Sequence, residues 1–296
     1  MAVFTIAVWL LCGLVAQQWW IQLVCFSASA YLMVEMSNSN ALLRVRSRMV
    51  PAVFLALSCT GCFLFGSLRG CIVQLCFVAS FIILFHTYQD NESPGRTYYS
   101  FLCVGLASLV FPQTIFFVPL IWLLMATQLQ SLSLRTWLAS IIGIFTPYWL
   151  LLPYWLLRQD LSWLSAHVDS LTTFAIPADA LPAGVPVKLV AVFVFTVLLF
   201  LMGVIHIWHR SFEDKIRIRL LYGFFTSMSL AIILFVILQP QHYFVLMPLL
   251  FVCASPIIAH FLTLTQTRLT NLVFIICTIV ALLLIGLNFA GPLLGI

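Results

Sequence analysis

Long apolar runs recur along this chain with almost no charge inside them, and that pattern constrains the fold more than any motif does. A helix needs about 20 apolar residues, within a range near 17–25, to cross the hydrocarbon of a bilayer. Runs 19–36, 49–66, 71–87, 137–157, 189–209, 220–238, 243–262 and 271–290 meet or approach that length. Three shorter runs, 3–16, 99–111 and 114–128, leave alternatives open. Only Gln17-Gln18 separates the first from its neighbour, so 3–36 reads as a tight hairpin or as one long bent helix. Pro112-Gln113 breaks the other two, because proline removes a donor and forces a bend. They read as two short tilted spans or as a re-entrant hairpin. Backbone polar groups in lipid must be satisfied within the segment, so the expected fold is all-α. We expect a polytopic transmembrane helix bundle of about 11 spans (range roughly 9–11), a single integral membrane domain over 1–296.

Composition excludes the main alternatives. Hydrophobic residues make up 64% of the chain and charged residues 7%, against roughly 25% charged in an ordinary soluble domain. A cytosolic enzyme, a disordered tail and a secreted disulfide scaffold are all ruled out. The formal charge of +5 does not imply a nucleic-acid partner, since Lys and Arg in so apolar a chain sit at membrane surfaces and fix orientation. The nine cysteines lie in or beside apolar runs and read as small packing residues. Cys59-Thr-Gly-Cys62 has the spacing of a thiol redox pair but no flanking charge to activate it. No HExxH, P-loop, GxSxG or dinucleotide fingerprint occurs, and no metal ligand set or cofactor is expected.

Loop charges give the orientation. With eleven spans, one side carries Arg44, Arg46, Arg48, Arg96, Arg135, Arg210, Lys215, Arg217, Arg219 and Arg268, and the other only Arg69, Arg158 and Lys188. The richer side is expected to face the cytoplasm, with the N-terminus on that side. Arg44, Arg46 and Arg48 read as topology anchors that also attract anionic lipid headgroups. The 211–219 stretch reads as a charged cytoplasmic connection. Trp19, Trp20, Trp137, Trp155 and Trp208 fall near span ends, where indole rings prefer the interface. There too belong Glu35 and His86 at span ends, and His206 and His209 as a helix end meeting headgroups. His260 reads as hydrogen-bonded or interfacial.

The sizeable outer segment is 158–188. Leu157, Leu161, Leu164, Val168 and Leu171 recur at helical spacing, opposite Gln159, Ser162, Asp169, Ser170 and Thr173. That spacing predicts an amphipathic interfacial helix ending before Pro177. Its role is either a lid over a membrane-face pocket or a cuff shielding helix ends. Asp160, Asp169 and Asp179 are the outer carboxylates, and His167 joins them as a candidate for acid/base catalysis. Gln239-Pro240-Gln241-His242-Tyr243 joins two spans on the same face. It is either a tight polar turn or a platform in which Gln239, Gln241, His242 and Tyr243 bind a polar headgroup.

Gly105 through Ser108 to Phe111-Pro112, the run to Met125, Arg135-Thr136-Trp137, Gly143 and Thr146-Pro147-Tyr148-Trp149 together resemble an uncharacterised family of bacterial multi-spanning inner-membrane proteins. The same segment is distantly similar to the membrane core of polyprenyl-phosphate-dependent glycosyltransferases of the C superfamily, and His242-Tyr243 through Pro256 resembles their closing spans. The resemblance implies a bacterial inner-membrane location and a scaffold that binds an isoprenoid-phosphate sugar or a lipid headgroup at the outer leaflet. A polyprenyl-phosphate carrier and membrane lipids would be its partners. Those enzymes carry acidic residues in a long first outer loop. Here that connection is Gln17-Gln18-Trp19-Trp20, without a carboxylate. The alternative is a non-enzymatic membrane subunit or assembly factor that binds other membrane proteins in an envelope complex.

Overall fold

A computed structural model of the chain describes the backbone of residues 1–44, 47–158, 165, 167, 169–171, 186–210, 212, 214–264 and 268–294. Side chains are described for the same residues except 154–158, 264, 268–270 and 290–294. Among the described residues the secondary structure is entirely helical. The main helices are α1 (Ala2–Leu11), α2 (Trp20–Ser39), α3 (Met49–Thr60), α4 (Leu68–Phe85), α5 (Pro94–Val110), α6 (Val118–Leu124), α7 (Leu134–Arg158), α8 (Val187–Arg210), α9 (Ile216–Leu238), α10 (Tyr243–Leu264) and α11 (Arg268–Leu294). A 3-10 segment, Pro112–Phe117, and a π segment, Met125–Leu129, extend α6 into one rod at both ends. Each apolar run of the sequence thus carries one main helix, although the one in 49–66 stops at Thr60 and is followed by a 3-10 turn, Cys62–Leu64.

Among the described residues, eight helices are long and apolar enough to cross a membrane. Shorter apolar helices are α1 and α3, of 10 and 12 residues. At 1.5 Å per residue they reach about 15 and 18 Å, short of a hydrocarbon core of about 30 Å. The first run is broken rather than bent. Gly13 at φ 91° and Gln18 at φ 54° turn the chain between α1 and α2, conformations that a continuous helix excludes. Pro112 acts as expected: Phe111 is extended (φ −142°, ψ 96°) and the helix restarts after it. Pro147 and Pro153 lie inside α7, and Pro248 and Pro256 inside α10.

The chain forms two compact units, Met1–Cys71 with Pro177–Ile296, and Ile72–Ile176. In the larger, α10 is the core: 94% of the Pro240–Thr263 window is buried, against 11% of Asn271–Phe289 in α11. Two glycines bring other helices onto α10. A Cβ at Gly70 would come 2.6 Å from the Phe244 carbonyl oxygen, and one at Gly203 would come 2.8 Å from the Ile257 side chain. Trp9 of α1 is fully buried, stacked on Phe65 at 4.1 Å and tilted against Phe26 at 5.6 Å. The cysteines of the CxxC pair are buried in this packing, with Cys59 Sγ 3.5 Å from the Thr5 hydroxyl.

In the smaller unit α5 and α7 meet at backbone distance. A Cβ on Gly105 would stand 2.7 Å from the Ile144 carbonyl, and one on Gly143 would stand 2.6 Å from the Tyr98 carbonyl. Small residues at such crossings let membrane helices approach closely where no hydrophobic force separates them from lipid. Ser80 and Ser100 hydroxyls at 2.8 Å join α4 to α5, and Trp122 Nε1 donates to Ser140 Oγ at 2.9 Å to join α6 to α7. The Gln89 N–H donates to the Leu129 carbonyl at 2.8 Å, so the π segment ends beside the start of α5.

Candidate functional site

Two helices and a loop segment converge on one hydrogen-bonded chain in the smaller unit. Ser108 lies near the end of α5 and Tyr148 in the middle of α7, brought together by the glycine contacts below them. Their hydroxyls are 2.8 Å apart, and Tyr148 Oη lies 3.0 Å from His167 Nε2. Ser108 donates its single hydrogen to the Gly105 carbonyl at 2.7 Å. Tyr148 Oη thus bridges Ser108 Oγ and the His167 imidazole. Burial lowers the His167 pKa from its ordinary value, so the imidazole is neutral at pH 7. One turn along, Gln113 Nε2 donates to the Ser170 carbonyl at 3.0 Å and ties the same segment to the start of the Pro112–Phe117 turn.

Ser165, His167 and Asp169–Leu171 are helical, as the outer-loop spacing predicts for this part. Asp169 is exposed, two residues from His167. Asp160 and Asp179 lie outside the described residues. The segment therefore presents a histidine held against a tyrosine, with an exposed carboxylate nearby.

The polar turn belongs to the larger unit. Gln239 is 6% exposed and accepts from Gln241 Nε2 at 3.0 Å, and that nitrogen lies 3.2 Å from His242 Nε2. Tyr243 is buried and donates to the Leu189 carbonyl at 2.8 Å, which holds the start of α8 against α10. Its hydroxyl is thus engaged in packing, while the glutamines and His242 form a local cluster.

A cavity of about 450 Å³ opens in the larger unit, walled by α1, α3, α8, α10 and α11. Phe4, Ala56, Leu199, Ile258 and Ala281 are among its apolar residues. Its two hydroxyls face their own helices: Thr60 donates to the Leu57 carbonyl at 2.7 Å and Thr278 to the Phe274 carbonyl at 2.8 Å. Apart from these hydroxyls, the Cys277 thiol and the backbone of Met1, its lining is apolar. Hydrocarbon fits the walls, and the volume lies within the roughly 300–1,000 Å³ of small-molecule sites.

A buried ionic cluster lies at the basic-loop end of this unit, on the charged 211–219 connection. Asp214 is not a solvated loop charge. Its side chain is 2% exposed, with Oδ1 accepting from Arg44 Nε at 2.7 Å and Oδ2 3.1 Å from His260 Nε2. His260 is fully buried in α10, its ring 4.8 Å from Tyr222 and 5.5 Å from His206. Beside it, Arg217 donates to Asn40 Oδ1 at 3.1 Å and Tyr222 to the Leu42 carbonyl at 2.9 Å. His206, read as meeting headgroups, instead packs toward His260 and Phe261. Of the expected headgroup anchors, Arg44 is committed to Asp214, Arg48 is exposed, and Arg46 lies outside the described residues. His260 was the one legible signal, because an imidazole inside an apolar helix needs an internal partner. Among the described residues no group of three or more His, Cys, Asp or Glu side chains is placed to hold a metal.

No family model matches the chain, and no curated protein or solved structure does either.

Proposed function

We propose that this chain is a lipid-binding multi-spanning protein of the bacterial inner membrane, with a hydrocarbon chain of its ligand seated in the cavity of the larger unit. In this reading all eleven rods cross or enter the bilayer, with Arg44, Arg96, Arg135 and Lys215 on the cytoplasmic side. The ten-to-three division of Lys and Arg between alternate loops supports that orientation. The observation that carries the proposal is the cavity: about 450 Å³, hydrocarbon-walled, with both of its hydroxyls turned into their own helices. Lipid extracted from protein purified in mild detergent tests it. Wild type should retain lipid near one per chain, and Ala56→Phe, which fills the space between α3 and α11, should lose it. Wild-type protein free of stoichiometric lipid would refute the reading.

The His167–Tyr148–Ser108 chain favours a second reading, glycosyltransferase-like chemistry on a polyprenyl-phosphate sugar. Its Ser108 and Tyr148 lie in the segment that carries the resemblance, and a neutral imidazole at His167 suits a general base. Asp160, Asp169 and Asp179 would supply the acidic groups. Replacing the three with alanine and scoring envelope glycans against a gene deletion tests it. If deletion changes the profile and the triple variant restores it fully, catalysis by those acids fails. An unchanged profile on deletion, with a stable protein complex in mild detergent, would favour the non-enzymatic subunit.

A further inference from the structure

The cavity has a polarity along its length. Met49 opens α3 and Leu262 lies in the last turns of α10, and both line the cavity at the basic-loop end. Arg48 directly precedes Met49 and is exposed. The connection from Asn40 to Arg48 contains arginines and no carboxylate. Within it the network holds Asn40 through Arg217, Leu42 through Tyr222 and Arg44 through Asp214. Asp214 has both oxygens occupied by Arg44 and His260, so it does not offer a compensating charge to a ligand at this end. The result is a hydrocarbon slot whose rim carries a positive charge on a connection held at three points.

We propose that the slot takes one acyl chain of an anionic glycerophospholipid, with its phosphate at Arg48. This rests on the lipid-binding reading and adds the ligand's charge and the residue that reads it. The commitment to a glycerophospholipid follows from access. Only 11% of the Asn271–Phe289 window is buried, so α11 forms a thin outer wall between slot and bilayer. Bilayer glycerophospholipids lie beside that wall, and the positive charge of Arg48 next to Met49 selects the anionic ones among them. One arginine near a membrane surface contributes about 1 kcal/mol, which is about fivefold in affinity.

Native mass spectrometry of delipidated protein, titrated with phosphatidylglycerol, phosphatidylcholine or a polyprenyl phosphate, tests the proposal. Wild type should prefer phosphatidylglycerol to phosphatidylcholine of the same chains by about fivefold. Arg48→Gln, an exposed change that leaves packing intact, should abolish that preference and keep phosphatidylcholine binding. Ala56→Phe should abolish binding of both. Equal binding of the two phospholipids by wild type overturns the charge assignment and leaves the cavity reading standing. Failure of every lipid to bind overturns both. Binding of polyprenyl phosphate with rejection of phosphatidylglycerol overturns the glycerophospholipid commitment.

Discussion

His260 Nε2 and Asp214 Oδ2 lie 3.1 Å apart although 46 residues separate them in sequence, and both side chains are shut off from the surroundings. The partner of a buried imidazole here comes from a loop that folds back beneath α10. Asp214 also receives Arg44, so one carboxylate fastens the α2–α3 connection and the α8–α9 connection to the core helix.

Removing that carboxylate should destabilise the larger unit. Asp214→Ala leaves His260 without its partner in a buried site, an effect of about 1–3 kcal/mol. Equilibrium unfolding in mild detergent measures it, together with His260→Ala and the double variant. The double variant should lose clearly less than the two single losses combined. Strict additivity would show that the two do not act as a pair.

The α5–α7 crossing should not accept a side chain at Gly105 or Gly143. Alanine at either position places a methyl group within 2.7 Å of a backbone carbonyl on the facing helix. Overpacking of this kind costs about 1–3 kcal/mol. Gly95, whose Cβ would meet open space, is the control. Equal stability of Gly105→Ala and Gly95→Ala would refute the close approach.

The His167 contact should weaken in acid. Burial lowers its pKa when folded, so the unfolded state takes up the proton first as pH falls. Docking of the 165–171 segment is therefore fully favourable above the ordinary histidine pKa of about 6.5 and declines below it. Hydrogen exchange of that segment, followed from pH 8 to pH 5, should accelerate toward acid. His167→Gln should flatten the profile. A wild-type profile with the same slope as the variant would remove His167 as the cause.

Loop accessibility tests the threading. Phe212 is 88% exposed on the α8–α9 connection and Ser165 is exposed in the outer segment. A cysteine at 212 should react with an impermeant thiol reagent only after the cell is opened, whereas one at 165 should react in intact cells. Labelling of both from the same side would break the assignment of faces.

Part of the candidate site was visible in the sequence. The segment running from Gly105 and Ser108 to Gly143 and Tyr148 stood out as a unit, and its residues build the α5–α7 contact and the hydroxyl pair above it. Sequence alone did not show that His167 completes that chain, since a hydrogen bond across 19 residues leaves no periodic trace. The burial of Asp214 was not legible, because its neighbours Glu213 and Lys215 give the stretch the look of an ordinary charged connection. Whether a loop carboxylate points out or folds under a helix depends on what waits beneath it.

Hydrophobic run length by itself determined the helical rods and their order, because a chain in lipid must close its backbone hydrogen bonds locally. The tertiary structure alone decided which rod forms the core. Residues 240–263 and 271–289 have mean hydropathies of 2.2 and 2.8, yet one is almost wholly enclosed and the other almost wholly open. Lipid tails and leucine side chains are equally apolar, so hydropathy is blind to that difference. Glycine approaches, buried ion pairs and the hollow beside α11 exist only once the helices have chosen their neighbours.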